Sequence, residues 1–195
     1  VFPMFPQYCA ATTASVYDAV FDHFKQRRVV PALRFVPPYG AHPAYIGALA
    51  AIAKEELSRL AWKPDKVLIS FHGVPKRYVE SGDPYQTQVG ETTCALAQAL
   101  ELGPDDYVLS FQSRFGKEEW LKPYTDRTLQ DLGRSGVKRV LAMCPGFTAD
   151  CLETIDEIGH EARKTFQAAG GEDLKLIPCL NSHPAWIDAM ARIAR

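Results

Sequence analysis

The sequence predicts an α/β protein, an open parallel sheet with helices on both faces. Three observations carry this. Short β-rich runs alternate with amphipathic helical stretches along the whole chain. The central β-rich runs are continuously apolar, as strands covered on both faces are. Glycines and prolines punctuate the junctions.

Taken in order, residues 17–25 read as a helix and 29–36 as a first strand, with Pro31 near its beginning. Residues 43–61 place Ile46, Leu49, Ala53, Leu57 and Leu60 on one helical face. A second strand covers 66–71, and a helix 85–100 follows. The third strand is 107–112, and the helix 124–134 stops at Gly136. The fourth strand is 139–144. One long helix is expected over 150–168, ending before Gly170-Gly171. A fifth strand at 174–178 and a helix at 184–194, with Pro184 in its first turn, complete the chain. There is no internal repeat, linker or low-complexity run, so one unit spanning 1–195 is expected.

Composition narrows the function. The 195 residues are 47% hydrophobic, enough for one sizeable core. Twenty-two Lys+Arg against 23 Asp+Glu give a net charge of −1, without the basic face a nucleic-acid binder needs. Cys9, Cys94, Cys144, Cys151 and Cys179 form no Cys-x-x-Cys pair and read as reduced, intracellular thiols. A cytoplasmic protein is expected. No apolar run reaches the roughly 18 residues of a membrane span. The opening Val1-Phe2-Pro3 is no signal peptide and reads as cut from something longer. Gly-x-Gly-x-x-Gly, Walker-type and Gly-x-Ser-x-Gly patterns are lacking, which argues against nucleotide binding and against a hydrolase elbow.

Open parallel sheets bind ligands beyond the carboxyl ends of their strands. His72 stands there, directly after the second strand. It can accept a proton or bind a metal, or it can simply be hydrogen-bonded in a tight His-Gly-Val-Pro turn. Asp150, Glu153, Glu157, His160 and Glu161 fall on one stripe of the long helix. That stripe is either a hard oxygen site for protons or divalent cations, or a solvated acidic face. Asp150 with Glu153 also fits an N-cap and its capping-box partner. Trp120 can line an apolar pocket or pack in the core, and Arg114 can meet a carboxylate or cap a helix end. His42 and His183 precede prolines as helix-entry residues do, and His23 reads as surface.

One run is more specific. Ser70-Phe71-His72-Gly73-Val74-Pro75, a short spacer, then Gly82-Asp83-Pro84-Tyr85 closely resembles the ferrochelatase signature. Similar matches run along nearly the whole chain: Pro6-Gln7-Tyr8, His42-Pro43-Ala44-Tyr45-Ile46, Gln112-Ser113, Trp120-Leu121-Lys122-Pro123, Phe147 with Asp150, Glu153 and Thr154, and Leu180-Asn181. The resemblance implies a Rossmann-like, chelatase-type sheet that inserts Fe²⁺ into protoporphyrin IX to form haem, the last step of haem biosynthesis. It implies that His72 and Glu153 are catalytic, facing each other across the porphyrin. It implies His72, Glu153, Asp150 and Glu157 as metal contacts, and Trp120, Tyr39 and Arg114 as substrate contacts. Some family members hold an iron–sulfur cluster, but Cys9 sits one place before the expected position and no cysteine-bearing tail follows, so no cluster and no prosthetic group are expected. The family's N-terminal part, with its Asn-x-Gly-Thr-Pro motif, has no counterpart here, so the chain corresponds to the C-terminal part of a two-domain enzyme. A non-catalytic metal- or tetrapyrrole-binding fragment, and a chelatase for another tetrapyrrole such as coproporphyrin, are the alternatives. Porphyrin and ferrous iron are the expected partners, with the remaining half of the same enzyme. Peripheral membrane contact stays open, though the sequence holds no basic amphipathic helix.

Overall fold

The computed structural model describes residues 1–195. A four-stranded, fully parallel sheet forms its centre, in the order β2-β1-β3-β4. The strands are β1 (Lys66–His72), β2 (Tyr107–Gln112), β3 (Arg139–Met143) and β4 (Asp173–Leu176). The two-residue period of a strand sends alternate side chains to opposite faces. Val67, Ile69 and Phe71 of β1 join Leu141 and Met143 of β3 in the larger core. Leu68, Val140, Ala142 and Leu174 face the smaller one.

Helices cover both faces. On the larger core lie α2 (Pro43–Arg59), α4 (Tyr85–Ala99) and α8 (Pro184–Ile193), which contribute Tyr45, Leu49, Leu96 and Trp186. On the other lie α5 (Thr125–Arg134) and the segment after β3, through Leu129, Ile158 and Phe166. A one-turn α3 (Lys76–Glu80) follows β1, and α1 (Ser15–Lys25) projects from a π-helical turn at Ala10–Ala14. His42 and His183 cap α2 and α8: each Nδ1 accepts from the amide two residues on, at 3.1 and 3.2 Å. Gly136 closes α5 at φ +93, in the left-handed region glycine tolerates.

Two expectations fail. The segment 29–36 is no strand, so the sheet has four strands, not five. Val29 and Val30 are 83% and 55% exposed, and Pro31 has no N–H to donate. The segment is tied instead to the first residue: the Val36 amide donates to the Val1 carbonyl at 2.9 Å. A β-rich composition makes a ladder only where another strand lies alongside.

The long helix over 150–168 is three pieces: α6 (Leu152–Ile155), a π-helical stretch (Glu157–Ala162) and α7 (Arg163–Ala168). Its N-cap is Cys151 with Thr154, not Asp150 with Glu153. The Cys151 amide donates to Thr154 Oγ1 at 3.0 Å. A wider turn changes which side chains stack: Glu157 and Glu161 share one polar hollow, while Asp150 turns to Cys179 and Asn181.

Candidate active site

A cleft of 440 Å³ opens at the carboxyl end of β1. His72, Val74, Pro75, Tyr85, Phe115 and Trp120 are among its walls. His72 is half-buried there, and its main chain is fixed from two sides. Tyr85 Oη donates to the His72 carbonyl at 2.8 Å, and the Gly73 amide donates to the Gln112 carbonyl at 2.8 Å. The ring Nδ1 lies 2.6 Å from the Gly73 carbonyl. A carbonyl can only accept, so Nδ1 donates to it and Nε2 is the ring nitrogen left without a partner.

The motif around His72 has a packing rationale. A Cβ on Gly73 would stand 3.0 Å from the Gln112 carbonyl oxygen and 3.1 Å from the Trp120 ring. Gly82 has φ +97, which lets the chain turn back at the end of α3. Asp83 then accepts from the Tyr85 amide at 3.0 Å and from the Ala10 amide at 2.7 Å. It thereby joins the start of α4 to the π-helical turn that forms another wall of the cleft.

Trp120 is 94% buried by its 6% exposure, and its indole Nε1–H has no partner. Phe115 leans on it at 4.9 Å between ring centroids while remaining 74% exposed. Trp120 and Phe147 both flank the His72 ring, at 6.3 and 6.4 Å between centroids. Aromatic faces around one histidine suit a flat, apolar ligand.

Glu153 is half-buried at the start of α6. Hydrogen bonds from its own amide and from the Cys151 thiol hold its carboxyl below the ordinary range, and the His72 charge lowers it further. The carboxylate is thus ionised and within electrostatic reach of His72. Glu157 turns the other way. Its Oε1 accepts from the Ser113 amide at 2.7 Å, and its Oε2 accepts from the Ser113 hydroxyl. That grip holds Ser113 at φ +64, an unfavourable backbone angle for a residue with a side chain.

Not every expected residue reaches the cleft. Tyr39 is 2% exposed, stacked among Phe2, Tyr45 and Trp186 in the core, with its hydroxyl donating to the Pro3 carbonyl at 3.1 Å. It is a core residue, not a wall of the cleft, because its ring completes an aromatic cluster between α2 and α8. Arg114 pairs with Asp126 at 2.8 Å and lies over the Tyr124 ring at 4.1 Å, beside a separate polar hollow. Asp150 accepts from the Cys179 amide at 3.0 Å and from Asn181 Nδ2 at 2.7 Å, which ties the α6 entrance to the loop after β4. His72, Glu153, Asp150 and Glu157 therefore do not form one ligand cluster: no three His, Cys, Asp or Glu side chains converge on a common point. Gln112, Tyr85 and Phe115 lie within expected motifs and strand ends, but no role at the site was assigned to them. A buried-strand run ending in glutamine was the available signal for the first.

The fold and this cleft together define a chelatase-type α/β unit. Among solved structures, SirB from Bacillus subtilis with Fe³⁺ superposes with a TM-score of 0.67 at 16% identity, covering 100% of this chain and 69% of that one. DR2241 of Deinococcus radiodurans, a multi-domain protein with structural similarity to chelatases, superposes with a TM-score of 0.61 at 16% identity, over 100% and 40% of the two chains. At that identity the likeness is one of fold. The chain belongs to the ferrochelatase family, whose model matches residues 1–195. It is 55% identical to the ferrochelatase of Herminiimonas arsenicoxydans over 100% of this chain and 52% of that protein. Identity is 53% to that of Janthinobacterium sp. (strain Marseille), over 98% and 52%, and 49% to that of Brucella ovis, over 100% and 55%. The chain spans about half the length of these curated relatives. No helix is long and apolar enough to cross a membrane.

Proposed function

We propose that this chain carries the metal-inserting chemistry of a ferrochelatase, placing Fe²⁺ into protoporphyrin IX to form haem. The observation that supports this most is His72, its Nδ1 engaged by the Gly73 carbonyl and its Nε2 unpartnered, beside an aromatic cleft and within electrostatic reach of Glu153.

Insertion exchanges two pyrrole protons for one divalent cation. Nε2 of His72 accepts one pyrrole proton, the second passes to solvent water at the open cleft, and the Glu153 carboxylate supplies a hard oxygen in place of an iron-bound water. Trp120 and Phe115 hold the macrocycle flat against the histidine. Asp150 and Glu157 hold the segment that bears Glu153, and act on the metal only through it. The reaction needs no prosthetic group, and the protein works in the cytoplasm, in keeping with its five free thiols.

A second reading is binding without turnover, favoured because the chain is about half the length of its relatives and leaves Phe115 largely bare. Anaerobic incubation with protoporphyrin IX or coproporphyrin and Fe²⁺, followed by Soret absorbance, separates the two. Turnover abolished in His72→Ala supports the first reading. Porphyrin binding without turnover supports the second, and neither binding nor turnover sinks both.

A further inference from the structure

We infer that Gln112 is a positioning residue that sets Glu153 against His72, an inference resting on the function proposed above. Gln112 lies opposite His72 in the β1–β2 ladder and is 3% exposed. Its Oε1 accepts from Ser70 Oγ at 2.8 Å and from the Cys144 thiol at 3.7 Å. Its Nε2 donates to the Glu153 carbonyl at 2.7 Å and to Glu157 Oε2 at 3.4 Å.

The amide cannot be turned over. Ser70 Oγ lies 3.0 Å from Thr125 Oγ1, which lies 2.8 Å from Ser110 Oγ. Each hydroxyl has one proton. With the Ser70 proton spent on Gln112, Thr125 donates to Ser70 and Ser110 donates to Thr125. This hydroxyl chain can follow either orientation of the amide, and it is the other end that fixes Oε1 as the acceptor. Nε2 is left facing two acceptors on the stretch after β3, where a flipped amide would bring oxygen against oxygen.

The consequence is geometric. β1 carries His72, and β2 beside it carries the one side chain that grips both the main chain of Glu153 and the carboxylate of Glu157. α6 has only four residues and is followed at once by a π-helical stretch, so its own hydrogen-bonded length does little to fix it. The Gln112 amide supplies the missing reference to the histidine strand.

The test compares Gln112→Leu and the isosteric Gln112→Glu with Ser70→Ala in the 195-residue chain, by crystal structure and by steady-state iron insertion. Ser70→Ala removes the oxygen-side bond and leaves the Nε2 donors in place. Positioning by Gln112 predicts that both Gln112 variants displace Glu153 relative to His72. It also predicts that they lower kcat by about 10- to 100-fold at unchanged porphyrin KM, as loss of outer-shell support does elsewhere. Ser70→Ala should keep kcat within about twofold at a comparable loss of stability. Equal kcat losses in all three variants, or an undisplaced Glu153, overturns the inference. Absent turnover in the unmodified chain defeats the functional reading instead, and the position of Glu153 in the variants still decides this one. Gln112→Glu serves if Gln112→Leu does not fold.

Discussion

The phenol of Tyr85, at the head of α4, donates to the carbonyl of His72 at 2.8 Å, the last peptide of β1 before the chain turns. A tyrosine fixed in sequence thirteen residues on thus anchors the histidine from outside the sheet. Burial raises its hydroxyl well above the ordinary tyrosine range, so the proton it donates is present at every working pH. Tyr85→Phe leaves the ring and removes the bond. We expect about 1 kcal/mol less stability in urea unfolding and a several-fold lower kcat. Unchanged kcat would show that the Gly73 amide bond alone holds His72.

Gly73→Ala places a methyl between the Gln112 carbonyl and the Trp120 ring, both at or near 3.0 Å. The ring or the strand end must shift. The expected cost is about 1–3 kcal/mol in chemical unfolding, typical of overpacking, with a changed Trp120 emission spectrum. An unchanged spectrum and midpoint would mean the site relaxes freely.

Asp150 links acid stability to the α6 entrance. Burial alone raises its carboxyl, but hydrogen bonds from Asn181, Cys179 and Thr154 outweigh burial and hold it below the ordinary value. A depressed carboxyl contributes stability above its unfolded value, near pH 4, and loses that contribution as pH falls through the folded one. Asp150→Asn should therefore be less stable than the parent at pH 7, and the gap should close below about pH 4. A gap independent of pH would assign the effect to packing alone.

The thiols should sort by burial. Cys94 is exposed, while Cys9, Cys144 and Cys179 are buried. Burial pushes the Cys9 thiol up to about 11 and the other two buried thiols higher still. Iodoacetamide at pH 8 should label Cys94 first and half-buried Cys151 more slowly. The three buried thiols should react only on unfolding. Rapid labelling of Cys9 would show that the π-helical turn at Ala10–Ala14 opens.

Phe115 should matter to ligand and not to fold. Phe115→Ala should leave the unfolding midpoint in place, since the ring is 74% exposed. It should raise the porphyrin KM about 3- to 10-fold, the scale of one aromatic contact. A drop in kcat at constant KM would place Phe115 in the chemistry instead.

The sheet was legible because burial on both faces writes itself as unbroken apolar runs, as in Val67-Leu68-Ile69 and Val140-Leu141-Ala142. His72 was legible from its place at a strand end and Trp120 from the Trp120-Leu121-Lys122-Pro123 run, and the two share one cleft. The segment 29–36 misled because β-branched composition reports suitability for a ladder, not the presence of a neighbour. The π-helical stretch was invisible because Ile158, Ala162 and Phe166 keep a buried face at helical spacing through the wider turn. Tyr39 misled because an aromatic after a strand serves a core as readily as a ligand. Gln112 went unread because its role lies in partners 42, 41 and 45 residues away in sequence, Ser70, Glu153 and Glu157.

The exposed 29–34 stretch also bears on how the chain behaves in concentrated solution. Val29, Val30 and Leu33 offer apolar side chains to solvent, on extended backbone whose donors are largely unmatched within the molecule. Such a stretch is a template for strand pairing between copies, and Pro31 is the one residue that interrupts it. Charged replacements at Val29 and Val30 are the natural gatekeepers.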